Sequence, residues 1–246
     1  MEKNFLTAVA ENTVFFLEFL GIVAAMFVIA YVAEKLAKKK RGDKERILAT
    51  RKIAMIGMFG AIATIIHILD FAIPFIAPPF YKLDFSELPA LIGAFAFGPV
   101  AGVMIEFVKI LLKLAFKGTS TAFVGDLANF VIGCSLILPA SIIYDFKKTK
   151  KNAFIACLVG TIVITIFGTA LNAVYLIPAF SVLYGMPIED IIAMGSAIRK
   201  GITDITSFVI IAVAPFNLIK GLVASLVTIG IYKDISPILK EGRKKI

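Results

Sequence analysis

Reactive side chains are scarce in this sequence. Its 246 residues include two cysteines and one histidine, and none of them has companions at metal-ligand spacing. Walker A, HExxH and GxSxG patterns are absent, so the chain does not itself hydrolyse ATP by a recognised route. Charge is also sparse: Asp, Glu, Lys and Arg make up 17%, against 59% hydrophobic residues. With a mean hydropathy of +0.93, the chain is too apolar for a soluble domain of this size. Cys134 and Cys157 fall inside apolar runs and read as small buried apolar residues. His67 reads as a packed or interfacial histidine.

What is abundant is apolar sequence in long runs. A membrane crossing needs about 20 mostly apolar residues, and the pattern predicts spans over 13–34, 51–71, a short 88–98, 99–117, 121–145, 153–179 and 204–233. Eighteen of the 26 Lys and Arg lie in 35–52, 147–151 and 233–246. Placing these three segments in the cytoplasm gives a consistent alternation of spans, with the N-terminus outside and the C-terminus inside. The formal charge of +9 is then juxtamembrane, which suits anionic inner-leaflet lipid and excludes nucleic acid as a partner. In the first run the basic residues follow the apolar stretch, and no small-x-small cleavage site precedes Lys35. It reads as a retained anchor and not a signal peptide. Domain organisation follows: an N-terminal transmembrane helix over 1–34, a basic cytoplasmic linker over 35–50, and a transmembrane bundle over 51–240.

Pro74, Pro78 and Pro79 exclude a regular helix from the outer segment 73–87. Its aromatic and aliphatic content predicts an ordered cap on the outer mouth. Leu88-Pro89 opens a short helix that reverses at Gly98-Pro99. A segment this short does not cross alone, and irregular backbone at depth must face protein or a cavity. Pro215 is expected to interrupt the last span, leaving Asn217 and Lys220 in the first turns of 215–233.

Ionisable groups inside spans cost about 2.5–3.5 kcal/mol or more on insertion scales, so each invites a function. Glu106 and Lys109 are at i, i+3 and read as a neutralising pair; Lys113 and Lys117 read as snorkelling. Asp126 with Asn129, Asn172, and Asn217 with Lys220 fall in the outer halves of three spans. Asparagine offers both donor and acceptor, which suits a heterocycle edge of alternating C=O and N–H groups. Interhelical hydrogen bonding is the competing role, and for Asn172 alone the two are balanced. Together, under an aromatic cap, the set points to a binding pocket. Gly57 and Ala61, with Gly60 and Ala63 nearby, form a small-residue stripe that suits either internal packing or a docking partner.

Several of these segments resemble one family. They are Tyr81-Lys82-Leu83-Asp84-Phe85-Ser86-Glu87-Leu88-Pro89-Ala90-Leu91-Ile92-Gly93, Phe97-Gly98-Pro99, Gly118-Thr119-Ser120-Thr121 with Gly125-Asp126-Leu127-Ala128-Asn129-Phe130, and Pro215-Phe216-Asn217-Leu218-Ile219-Lys220-Gly221. Over about 51–240 the chain is similar to the S components of energy-coupling factor (ECF) vitamin importers, in their riboflavin-specific branch. The resemblance implies an all-α integral membrane protein: a six-helix S-component bundle, here with one extra N-terminal transmembrane helix. It implies a non-enzymatic subunit of the cell membrane that takes riboflavin from outside as transported ligand, with no cofactor. Docking is implied on an ECF transmembrane coupling protein carried by two cytoplasmic ATPase subunits, with Gly57 and Ala61 at the contact. By the same resemblance Asn172, Asn217 and Lys220 contact the isoalloxazine, Leu83, Asp84 and Phe85 form the lid, and Asp126 and Asn129 join the site. Rival readings are an S component for another vitamin or for FMN, a lipid-modifying membrane enzyme, and a stand-alone facilitator.

Overall fold

The structure is a computed structural model that describes residues 13–78, 80–119, 121 and 123–240. It is helical almost throughout. The chain runs through α1 (Thr13–Arg41), α2 (Thr50–Ile68), a two-residue β1 (Phe71–Ala72), β2 (Lys82–Leu83), α3 (Glu87–Phe97), α4 (Pro99–Lys117) and α5 (Val124–Phe146). It continues through α6 (Lys150–Leu171), a π-turn (Asn172–Leu176), α7 (Ile177–Tyr184), α8 (Ile188–Ile198), α9 (Ile205–Phe208), a second π-turn (Val209–Val213) and α10 (Ala214–Lys240). Among the described residues, five helical stretches are long and apolar enough to cross a membrane. The protein is a multi-pass membrane protein.

α3 is the axis of the bundle. Ten of its eleven residues, from Glu87 to Phe97 with the exception of Leu88, are buried, so this short helix is enclosed by protein, as its length requires. It packs on α2, α4, α5 and α10. α4 carries Glu106, Lys109 and Lys113, and all three turn inward to partners. The reversal between α3 and α4 occurs at Gly98, whose φ of 110° lies in the region that disfavours side chains. A β-carbon there would also lie 2.6 Å from the Glu34 carboxylate.

That carboxylate belongs to α1, which is part of the bundle and not a detached anchor. Val23 and Ala30 pack with Val100, Val103, Cys134 and Leu138, and Phe27 meets Phe107 edge-on at 5.8 Å. Glu34 is 2% exposed and its Oε2 accepts the Val100 N–H at 3.0 Å. It caps α4, whose first N–H groups have no partner within their own helix. The predicted span over 13–34 runs on to Arg41, so residues 35–41 are helix and not linker, and the connection shortens to 42–49. The extension is anchored by Arg41, whose guanidinium pairs with Asp145 at 3.0 Å and donates to the Asp145 carbonyl. Arg51 donates to the Leu239 carbonyl at 3.1 Å. The described parts of the three basic segments therefore meet at one end of the bundle.

Pro215 does not interrupt the last membrane segment. Helix continues from Ile205 to Lys240 because the π-turn at Val209–Val213 widens the backbone just ahead of the proline. The widening makes room for a ring that would clash with the preceding turn and that lacks an N–H. The π-turn at Asn172–Leu176 precedes Pro178 in the same way, so the span predicted over 153–179 extends to Tyr184. The two π-turns touch. α6 and α10 are joined lower down by a 2.9 Å hydrogen bond between Thr161 and Ser225.

Candidate ligand cavity

The outer segment forms a lid. Phe71 and Ala72 pair antiparallel with Leu83 and Lys82, and the proline-containing loop lies between the two strands. Ile76, Ala77 and Leu83 are buried against Ile191, Ile202, Phe208 and Phe216, which fastens the lid to α8, α9 and α10. Tyr81 packs its ring among Phe80, Phe208 and Phe216 at centroid distances of 4.8, 6.2 and 5.9 Å. Its hydroxyl donates to Asn172 Oδ1 at 2.7 Å. Burial pushes the Tyr81 phenol above its ordinary range, so it remains a donor at any physiological pH.

Beneath the lid is a cavity of about 530 Å3, within the ordinary size of small-molecule sites. Asp84, Asp126, Asn129, Asn172, Asn217 and Lys220 all line it, with Tyr81, Phe216, His67 and Lys113 among their neighbours. Residues 82–85 show the alternation of an extended strand. Lys82 and Asp84 reach the cavity, whereas Leu83 and Phe85 pack within the lid cluster. Leu83 and Phe85 are therefore lid residues whose side chains pack inside the lid cluster, and Asp84 is the one of the three that lines the cavity.

Local geometry explains how each amide arrives. The Thr119 and Thr121 hydroxyls accept the N–H groups of Phe123 and Gly125, each at 3.0 Å. They start α5 so that Asp126 and Asn129 face inward from its first turns. Lys113 is not snorkelling: its ammonium is 2.6 Å from Asp126 Oδ1 and donates to the Gly118 carbonyl at 3.0 Å. Asn172 has both ends of its amide engaged, Oδ1 by Tyr81 and Nδ2 by the Gly168 carbonyl at 2.7 Å. Asn217 lies over Gly168, where a β-carbon would be 2.7 Å from its Nδ2. The Asn217 Nδ2, Asn129 Oδ1 and Asp126 Oδ2 atoms are buried without a hydrogen-bond partner. Buried polar atoms are ordinarily satisfied, so these three stand out on residues that line the cavity.

Lys220, 5% exposed, has counter-ions within the chain. Its ammonium lies 2.8 Å from Glu87 Oε1 and 3.3 Å from Asp84 Oδ2. Asp84 also lies 3.3 Å from His67 Nδ1. Lys109 joins from the other side, 2.6 Å from Glu106 and 3.5 Å from Glu87. The i, i+3 pair read from the sequence is thus one corner of a larger network. Burial alone would raise the Asp84 carboxyl, but the Lys220 ammonium and His67 overrule it and hold it well below the usual carboxylate range. Sequence reasoning missed Tyr81, Phe216, His67 and Glu87. Tyr81 and Phe216 carried a signal, being aromatics beside motif polar residues; His67 and Glu87 are recognisable only by their neighbours in space. Among the described residues no group of three or more His, Cys, Asp or Glu side chains is placed to hold a metal ion.

Gly57 and Ala61 lie on the exposed face of α2, while Gly60 and Ala63 are buried. The small-residue stripe is therefore divided. Gly60 packs on α4, where a β-carbon would lie 2.5 Å from Val108, and Gly57 has nothing near it.

Comparison with known proteins agrees with this architecture. A family model described as the substrate-specific component of the ECF transporter matches residues 51–232. The riboflavin transporter RibU of Staphylococcus aureus (strain TCH60) is 35% identical over 190 residues, covering 77% of this chain and 93% of the relative. The riboflavin transporter FmnP of Bacillus subtilis (strain 168) is 30% identical over 197 residues, covering 80% and 97%. A solved structure, described as the S component of a bacterial ECF transporter, superposes with a TM-score of 0.59 at 36% identity, over 77% of this chain and 97% of that one. The matched region begins at α2, so the α1 that caps α4 is an addition to the shared core, and the chain belongs to the substrate-specific components of ECF transporters.

Proposed function

We propose that this protein is the riboflavin-binding subunit of an ECF importer and has no enzymatic activity of its own. It takes riboflavin from outside and delivers it inward while docked on a transmembrane coupling protein that two cytoplasmic ATPase subunits drive. The N-terminus is then outside and the C-terminal basic tail in the cytoplasm, with the three basic segments at the inner surface. The observation that carries the ligand assignment is the set of unpartnered amide atoms on Asn129 and Asn217, in a lidded cavity of about 530 Å3.

Riboflavin is neutral, with a flat ring system and a hydroxylated side chain. Its uracil-like edge alternates C=O and N–H groups, which amides can satisfy from both sides. Each buried polar group left unmet would cost about 1–3 kcal/mol. Tyr81 and Phe216 supply aromatic surface for the rings, and Lys220, already neutralised by Asp84 and Glu87, donates without asking the ligand for a negative charge. Asn172 serves as wall and as the lid's anchor through Tyr81. The exposed Gly57 and Ala61 allow close approach of the coupling protein to α2.

Purification in detergent followed by an absorption spectrum and a riboflavin titration tests this reading. A flavin spectrum or saturable quenching of flavin fluorescence is the expected result. A colourless protein that leaves riboflavin fluorescence unchanged at high micromolar ligand would reject it.

A further inference from the structure

The buried ion network is more than a site for a neutral ligand requires. Six ionisable side chains meet beside the cavity from five parts of the chain: Asp84 from the lid, Glu87 from α3, His67 from α2, Glu106 and Lys109 from α4, and Lys220 from α10. Glu87, Glu106 and Lys109 are 0% exposed, and none of the three lines the cavity. Lys109 also donates to Ser86 Oγ at 3.0 Å, at the junction of lid and α3. Buried ion pairs add little net stability compared with apolar packing, but losing one partner is costly because a charge is left bare. Such a network therefore favours one arrangement of its elements over others.

We infer that Glu87 and His67 are positioning residues, which hold Asp84 of the lid and Lys220 of the cavity wall in one clasp, so that closing the lid and aiming the Lys220 ammonium occur together. Glu87 places the ammonium from beneath, and Asp84 completes its pairing only when the lid is down. His67 brings its Nδ1 to 3.3 Å from the same carboxylate, so Asp84 meets α2, the helix whose outer face presents Gly57 and Ala61. A shift of α2 against its surroundings therefore reaches Asp84 through His67. The consequence for flavin retention rests on the proposed ligand; the clasp itself does not.

The test uses the full chain in detergent, with the near-isosteric variants Asp84→Asn, His67→Gln and Glu87→Gln. In ligand-free protein, backbone hydrogen exchange across 71–86 should quicken at least about tenfold in Asp84→Asn and His67→Gln, with 124–146 unchanged. The double variant should exchange no faster than Asp84→Asn alone, because both changes open the same contact. With riboflavin bound, Glu87→Gln should release flavin at least about tenfold faster by stopped-flow fluorescence. Lid exchange at the wild-type rate, or an equal rise over 124–146, would overturn the clasp, as would additive effects in the double variant. Should the wild type fail to bind riboflavin, the ligand assignment falls while lid exchange still decides the clasp.

Discussion

At the residue scale, the informative atoms are those without partners. Asn217 Nδ2 is buried and unsatisfied, so Asn217→Ala removes a proposed ligand contact while leaving no new orphan in the protein. Riboflavin affinity should fall at least about tenfold, or about 1.4 kcal/mol, with little change in melting temperature; unchanged affinity in a titration would remove Asn217 from the site. Asp84 is the opposite case, since its partners are all internal. Its carboxyl is held below the usual range, so its contribution to stability is complete above the unfolded value of about 3.9 and is lost as pH falls through the lower folded value. The melting-temperature gap between wild type and Asp84→Asn should therefore be constant from about pH 5 upward and shrink only below about pH 4. A gap that closes between about pH 5 and 8 would contradict this pairing.

At the element scale, α1 and the two π-turns matter most. Glu34 caps α4 from another helix, next to a glycine turn that a side chain would block. Glu34→Ala should lower stability by about 1–3 kcal/mol, as expected for losing a buried charge-assisted hydrogen bond. Riboflavin affinity should be unchanged, because Glu34 meets the bundle at the Gly98 reversal and is absent from the cavity lining. Thermal unfolding and titration of the same preparation check both halves. The π-turns explain how prolines are accommodated next to the site: each widens the helix before a proline, and Asn172 opens the first while Asn217 follows the second.

At the scale of the whole molecule, the proposed division of labour places binding and docking on different surfaces. α1 leaves Gly57 and Ala61 exposed, so the additional helix does not obstruct the α2 face. Gly57→Leu adds a side chain into open space within the chain. Riboflavin binding by the isolated subunit should be unaffected, while cellular uptake driven by the coupling module should drop at least about tenfold, because close helix approach is lost. Normal uptake by this variant would move the docking surface elsewhere.

The multi-pass helical architecture, the basic end, the short buried α3 and the polar residues that line the cavity were legible in the sequence, because hydrophobic run length, charge bias and costly in-span polar groups are local properties of the chain. The helical extension to Arg41, the uninterrupted helix past Pro215, and the roles of His67, Glu87 and Tyr81 were not. A span's end, a proline's effect and a charge's partner depend on what packs alongside. Leu83 and Phe85 show the limit most clearly: lid membership could be read from their segment, but which faces of an extended strand meet the cavity was decided only when the lid folded onto α8, α9 and α10.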